Sequence, residues 1–281
     1  MKKDLIIGAY TNYSWDKIKF WANSIDQSGF TGDKIIIIYN SDYSTVKQLS
    51  DRKFKIFGFN QNPSNGNLFF DKQFSIVVQR FFDLWRFMST LDLDQYRYVI
   101  QTDVKDVVFQ SNPSDWLTNN LGNYKILASC ESLQYQHEPW GQDNLMRSFP
   151  LMYNTLKDKP IWNCGVQAGD PIVMKDLWLT IYNMSVNNAI HNPDQAAYNV
   201  LLNLEPYKSI TKYSMSESGW ACQSGTTIDP VKIKEFLPNL LEAQPVWKDG
   251  YSYTSTGIKH AVLHQYDRIP DWRNIVETRY S

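Results

Sequence analysis

The stretch Tyr96–Gln110, YRYVIQTDVKDVVFQ, decides how this 281-residue chain is read. An apolar strand over Tyr98–Thr102 ends in two aspartates, Asp103 and Asp106, with two residues between them. A second apolar run, Val107–Phe109, follows at once. Carboxylates beside a buried strand are costly unless something pairs with them. A hard divalent cation takes carboxylate oxygens and keeps positions open for phosphate or water. Two aspartates at the mouth of a strand supply such a site. The same spacing also fits a structural use, with Asp103 capping the strand and Asp106 paired with Lys105 or a nearby arginine.

Outward from this stretch, the chain reads as alternating strands and helices. Asp4–Tyr10 (DLIIGAY) is a buried strand, and Trp15, Ile18, Trp21, Ala22 and Ile25 then repeat at helical spacing. Lys34–Tyr39 (KIIIIY) is a second strand and Phe54–Phe59 a third. The pattern predicts a parallel sheet covered by helices. A long helix is expected from Lys72 to Leu91, running into the metal strand and carrying Arg80. Tyr124–Cys130 is read as a strand ending at Glu131, and Val166–Ala168 as a short one after the turn Trp162-Asn-Cys-Gly165. Met174–Met184 reads as a helix. Asn192-Pro-Asp-Gln reads as a helix start, with Asn192 as cap, Pro193 at the first helical position and Asp194 in the first turn. Ala261–Leu263 is an apolar run that leads into His264. Ligands of open α/β sheets gather beyond the carboxyl ends of the strands, which is where Asp103 falls.

Composition narrows the function. The 28 Lys+Arg nearly balance 29 Asp+Glu, and no basic tract is present to follow a phosphate backbone, so no nucleic-acid partner is expected. No apolar run reaches membrane-spanning length. Three widely spaced cysteines, Cys130, Cys164 and Cys222, give neither a disulfide framework nor a zinc pattern. The N-terminal stretch reads as a first strand and not as a signal peptide. A cytoplasmic, reducing location follows as the expectation, with the sequons at Asn12 and Asn183 taken as chance. Neither G-x-x-x-x-G-K-[ST] nor G-x-G-x-x-G nor G-x-S-x-G occurs. Any phosphate would therefore be held by metal and cations.

His264 is the candidate third metal ligand, since imidazole joins carboxylates well on a borderline ion such as manganese. Its competitor is His260, and both histidines also suit plain structural roles. Lys259 and Arg268 bring positive charge suited to a diphosphate leaving group.

In this order of motifs the chain resembles GT-A fold glycosyltransferases. Within them it is similar to the procollagen-lysine and hydroxylysine glycosyltransferase domains, where a D-x-x-D pair and a late histidine hold Mn²⁺ against the donor diphosphate. Asp103 and Asp106 match that pair and His264 the late histidine; Asn163-Cys-Gly165 matches an N-[SA]-G segment, and Asp194-Gln195 an Asp-Gln. Two departures stand out. Pro193 precedes Asp194 where many relatives have an acid, and Gln101-Thr-Asp103 overlays a D-x-D whose first Asp is replaced.

The resemblance implies a single GT-A domain over 1–281, an α/β fold with a central, mostly parallel sheet. About 1–110 would bind the nucleotide, and about 111–281 the acceptor. It implies a metal-dependent enzyme moving a sugar from a UDP- or GDP-sugar to a glycan or other hydroxyl acceptor, with Mn²⁺, or alternatively Mg²⁺, as cofactor and retention favoured. Gly8, Ala9, Tyr10 and Thr11 would approach the nucleotide, with Tyr10 stacking on the base or packing as an ordinary core aromatic. Arg80, Thr102, Asp103, Asn163, Gly165, Lys259 and Arg268 complete the expected donor side. Asp194 and Gln195 are the catalytic candidates, with Asp194 as general base or acceptor-orienting group. Trp140 and Trp162 are candidate sugar-stacking walls, though either also suits the core. Two other readings remain: a nucleotidyltransferase, which would need a glycine-rich basic loop after the first strand, and a non-catalytic glycan-binding module.

Overall fold

Four consecutive isoleucines, Ile35 to Ile38, offer no polar face to water, and all four are fully buried. A strand buried on both faces needs cover above and below. The computed structural model, which describes residues 2–71 and 75–281, shows that cover. Ile36 and Ile38 pack with Ile18 and Trp21 of α1 (Trp15–Gln27). Ile35 and Ile37 pack on the opposite face with Phe81 and Leu84 of α2 (Ile76–Met88), Met174 and Leu177 of α3 (Pro171–Ser185) and Leu201 of α4 (Asp194–Leu202). The alternation of side chains along one strand thus divides the core into two layers.

The strands that build the site are, in chain order, β1 (Lys3–Tyr10), β2 (Asp33–Ile38), β3 (Lys55–Gly58), β4 (Tyr96–Thr102), β5 (Val107–Phe109), β6 (Ile126–Gln134), β7 (Pro160–Gly169), β8 (Thr211–Ser214), β9 (Ala221–Gln223) and β10 (Val262–His264). Seven of them form one sheet in the order β8-β6-β7-β4-β1-β2-β3. β7 runs antiparallel to both neighbours, and the other adjacent pairs are parallel. The expected central, mostly parallel sheet flanked by helices is present. A smaller sheet, β9-β10-β5, closes over the end of β4.

Several local expectations change. α2 begins at Ile76; the predicted start, 72–74, lies outside the described residues. β6 does not stop at Glu131 but continues to Gln134, through Ser132 at a positive φ of 61°. The segment Asn163-Cys-Gly165 is not a turn: it lies inside β7. Between β6 and β7 the register jumps from Ala128↔Gln167 to Ser129↔Asn163, so 164–166 face no partner on β6. A bulge of this kind re-aims side chains beside a site. Asn192 does not cap α4, because Pro193 occupies the position just before the helix. The Asn192 side chain instead accepts a bond from the Ser75 hydroxyl at 3.3 Å.

Candidate active site

Sheet register, not proximity in sequence, assembles the site. Asp103 follows β4 directly, and its N–H bonds to the Gly165 carbonyl on β7 at 2.8 Å. Asp106 precedes β5, which pairs antiparallel with β10 so that His264 faces Val107. The Gln265 N–H donates to the Asp106 carbonyl at 2.7 Å, locking the two segments together. One ligand atom each from Asp103, Asp106 and His264 then lies within 4.8 Å of the others. His264 Nε2 stands 3.7 Å from Asp103 Oδ2 and 3.7 Å from Asp106 Oδ1. Lys105 turns aside to pair with Asp267 at 3.0 Å, so it does not neutralise Asp106. Burial pushes the Asp106 carboxyl above its ordinary range; His264 pulls it down, and Asp103 pushes it up again.

The tautomer of His264 follows from its neighbour. β9 pairs with β10 so that Gln223 lies opposite His264. Gln223 Oε1 accepts from Nδ1–H at 2.7 Å. In the neutral imidazole the lone pair is therefore on Nε2, which is buried and has no hydrogen-bond partner among the described residues. An orphaned imidazole nitrogen aimed at two carboxylates fits a divalent cation. Gly165 keeps this space open: a Cβ there would lie 2.6 Å from Asp103 Oδ2 and 2.9 Å from His264 Cε1. Substituting Gln223→Ala is expected to weaken Mn²⁺ binding about 10- to 100-fold with the fold intact. Calorimetric titration with MnCl₂ measures this.

Beside the cluster, Arg80 on α2 joins two carboxylates. It bonds Asp103 directly, and its Nη2 reaches Asp194 Oδ2 at 3.2 Å. Burial opposes its charge, yet Asp103 and Asp194 hold the guanidinium well above its ordinary range. Burial likewise pushes the Asp194 carboxyl up, against the pull of Arg80. Glu131 lies in a second irregularity, where 131–133 of β6 stand between the pairs Cys130↔Trp162 and Gln134↔Pro160. Asn163 Nδ2 donates to its Oε1 at 2.8 Å, and the Gln195 side chain lies beside it. These groups share a cleft of about 320 Å³ with Trp140, a half-exposed ring on the helix Pro139–Ser148.

No family model matches the chain, and no curated protein matches it by sequence. Solved structures match it over their folds. The apo structure of the bifunctional glycosyltransferase WbbM aligns with a TM-score of 0.62 at 14% identity, over 99% of this chain and 51% of that one. The glycosyltransferase GlyE of Streptococcus pneumoniae TIGR4 aligns with a TM-score of 0.52 at 10% identity, over 100% of this chain and 64% of that one. The chain has a glycosyltransferase fold. It spans about half the length of the first neighbour and under two thirds of the second, and at these identities the likeness is one of fold.

Within this glycosyltransferase fold the sequence-predicted residues separate into two groups. Arg80, Asp103, Asn163, Gly165, Asp194, Gln195, His264 and Arg268 all reach the cleft. Arg268 forms no ion pair among the described residues. Apart from Asp106, which completes the cluster with Asp103 and His264, the others do not converge there. Gly8 serves packing, since a Cβ would lie 2.6 Å from Val104 Cγ2 and 3.0 Å from the Trp21 ring. Ala9 packs against the core. Tyr10 is buried, with its hydroxyl bonded to Ser41 at 2.9 Å, and no base can reach its ring. Thr102 is buried and accepts from Trp21 Nε1 at 2.8 Å. Thr11 accepts from Asn40 at 3.1 Å, at the edge of the β1 end. Lys259 lies over the Tyr251 ring at 4.4 Å, and the β-bridge of Lys259 with Tyr253 fixes it away from the cleft. His260 is buried between Ser216 and Ser252, which settles it as structural.

Sequence reasoning missed Tyr13 and Gln223. Tyr13 is half-buried and stacks on Tyr10 at 6.2 Å. Burial raises its phenol, and Lys105, Asp106 and Asp103 all act on it, so it borders the cluster. It also lines a second cavity of about 570 Å³ with Asn12, Asn40, Asn62 and Asn67, beyond the ends of β1 and β2. An aromatic three residues past Tyr10 was the available signal. Nothing in the sequence pointed to Gln223.

Proposed function

We propose that this chain is a metal-dependent GT-A-type glycosyltransferase, which moves a sugar from a nucleoside-diphosphate donor to a hydroxyl acceptor. The observation that carries this reading is the Asp103–Asp106–His264 cluster, with its orphaned Nε2, at the strand ends of a glycosyltransferase fold. Asp103, Asp106 and His264 would hold Mn²⁺ or Mg²⁺. Such an ion, when bound, neutralises charge growing on a departing diphosphate.

The chain's own residues supply the rest. Arg268 brings a cation into the same cleft. Arg80 orients Asp103 and links it to the acceptor side through Asp194. The asparagine-lined cavity suits the many polar edges of a nucleoside, and Tyr13 joins it to the cluster. This supports the nucleotide half being about 1–110. Trp140 presents an apolar ring at the cleft, as a sugar face needs, which supports a glycan acceptor. A glycan-binding module would have no use for an imidazole lone pair aimed at two carboxylates.

The test is purified protein with MnCl₂ and a panel of UDP- and GDP-sugars, with water or simple glycans as acceptors. Release of nucleoside diphosphate from at least one donor, abolished by EDTA, is expected. Absence of turnover with every donor, together with absence of Mn²⁺-dependent UDP or GDP binding, contradicts the reading.

A further inference from the structure

The Asn163-Cys-Gly165 and Asp194-Gln195 motifs converge on a third residue. Asn163 Oδ1 is occupied by the Gly165 N–H at 2.8 Å, and Gln195 Oε1 by the Cys164 N–H at 3.3 Å. With its oxygen tied to backbone, Asn163 turns its N–H group to Glu131 Oε1 at 2.8 Å, and the Gln195 amide lies beside the same carboxyl. Glu131 reaches this position from the irregular stretch of β6 between Cys130 and Gln134. Thr226 anchors its carbonyl at 2.7 Å. The Glu131 carboxyl is thus held by a neutral amide donor, with no cation within ion-pair distance among the described residues. Asp194 has the opposite arrangement: its Oδ2 is committed to the Arg80 guanidinium, which stays charged throughout the accessible pH range.

We propose that Glu131, and not Asp194, takes the proton from the incoming acceptor hydroxyl. The proposal rests on the transferase reading above. The acceptor oxygen bonds to the anomeric carbon, and the bond from that carbon to the diphosphate oxygen breaks. The electron pair of that bond leaves with the diphosphate, and the acceptor proton passes to Glu131. Asp194 is a positioning residue that fixes Arg80. A single displacement of this kind inverts the anomeric centre, against the retention implied by the sequence resemblance.

The electrostatics agree with the geometry. A general base works best when its pKa lies near the working pH. Burial pushes the Glu131 carboxyl up to about 7; the amides of Asn163 and Gln195 and the charge of Arg268 pull it down, while Glu138 pushes it up. The Cys130 thiol and the Tyr135 phenol also face it, and burial keeps both protonated. The base must be ionised to act, so kcat/KM should fall as pH drops through about 7.

The experiment compares wild type, Glu131→Gln and Asp194→Asn. It reads donor turnover as nucleoside diphosphate release with water as acceptor, and Mn²⁺-dependent UDP and GDP binding by calorimetry. Glu131→Gln is expected to lose about 10²- to 10⁴-fold in kcat. Its nucleotide affinity should be unchanged, and its residual rate should lack the acid limb. Asp194→Asn should lose less turnover, and the glycoside that the wild type forms on a simple glycan acceptor should carry the inverted anomer by NMR. A fully active Glu131→Gln with a crippled Asp194→Asn, or a retained anomer, overturns the proposal while leaving the transferase reading in place. A wild type that neither binds nucleotide nor turns over any donor ends both. Carboxyl-labelled glutamate NMR gives a check independent of turnover. A resonance titrating near neutrality and missing from Glu131→Gln is expected; titration of Glu131 in the ordinary carboxylate range overturns the assignment.

Discussion

Replacing Arg80 by methionine is expected to destabilise the protein by about 3 kcal/mol, because it leaves the buried Asp194 and the partly exposed Asp103 without their shared cation. Asp194 is buried and its carboxyl is already pushed up by that burial; Arg80 is what opposes the push. Asp103 meets the same guanidinium from the other side. Without it, the two acids repel at close range, and one must take up a proton. The loss should therefore shrink as pH falls, since protonation removes the unpaired charge. Urea denaturation at neutral and at mildly acidic pH measures both effects. Arg80→Lys should recover only part of the loss, because a single ammonium cannot present the planar fork that spans two carboxylates. A methionine variant as stable as wild type at neutral pH would show that the bridge does not hold the cleft together.

Asp106→Ala is expected to act in the opposite way on stability and more severely on binding. The Asp106 carboxyl is raised by burial and by Asp103 beside it, so its ionisation is a cost to the metal-free fold. Alanine removes that cost and keeps the backbone bond from Gln265. Thermal stability without metal should be unchanged or higher. Residues that only orient a ligand are worth about 10- to 100-fold in metal affinity, so loss of a ligand should cost at least about 100-fold. Mn²⁺-dependent binding of UDP or GDP should fall below detection. A variant that binds nucleotide as wild type does would remove Asp106 from the metal site.

What was legible in the sequence followed from local pattern. The isoleucine run and the DLIIGAY strand require a doubly covered sheet, and they have one. Asp103 and Asp106 stood out because charge interrupts an apolar stretch there. His264 was legible as a candidate only, since its neighbour His260 has the same local setting. What separates the two is the pairing of β10 with β5 and β9, three segments distant in sequence. Gln223 enters through the same pairing and was invisible for the same reason. The bulge between β6 and β7 also escaped the sequence: Asn163-Cys-Gly165 looks like a turn because Asn and Gly favour turns, yet it lies inside a strand. Gly165 is glycine to make room for Asp103 and His264, not to reverse the chain. Tyr10, which in sequence suits either a base-stacking ring or a core aromatic, is packed into the core, and Gly8 makes room for Val104 and Trp21. Among the described residues no helix is long and apolar enough to cross a membrane.

The central claim is that Asp103, Asp106 and His264 hold a divalent cation against a nucleoside diphosphate. Calorimetric titration of the wild-type protein with UDP and with GDP, in MnCl₂ and again in EDTA, tests it most directly. Saturable binding of at least one nucleotide in manganese, and none in EDTA, is the predicted result. Equal binding in both buffers, or no binding of either nucleotide in manganese, would contradict it.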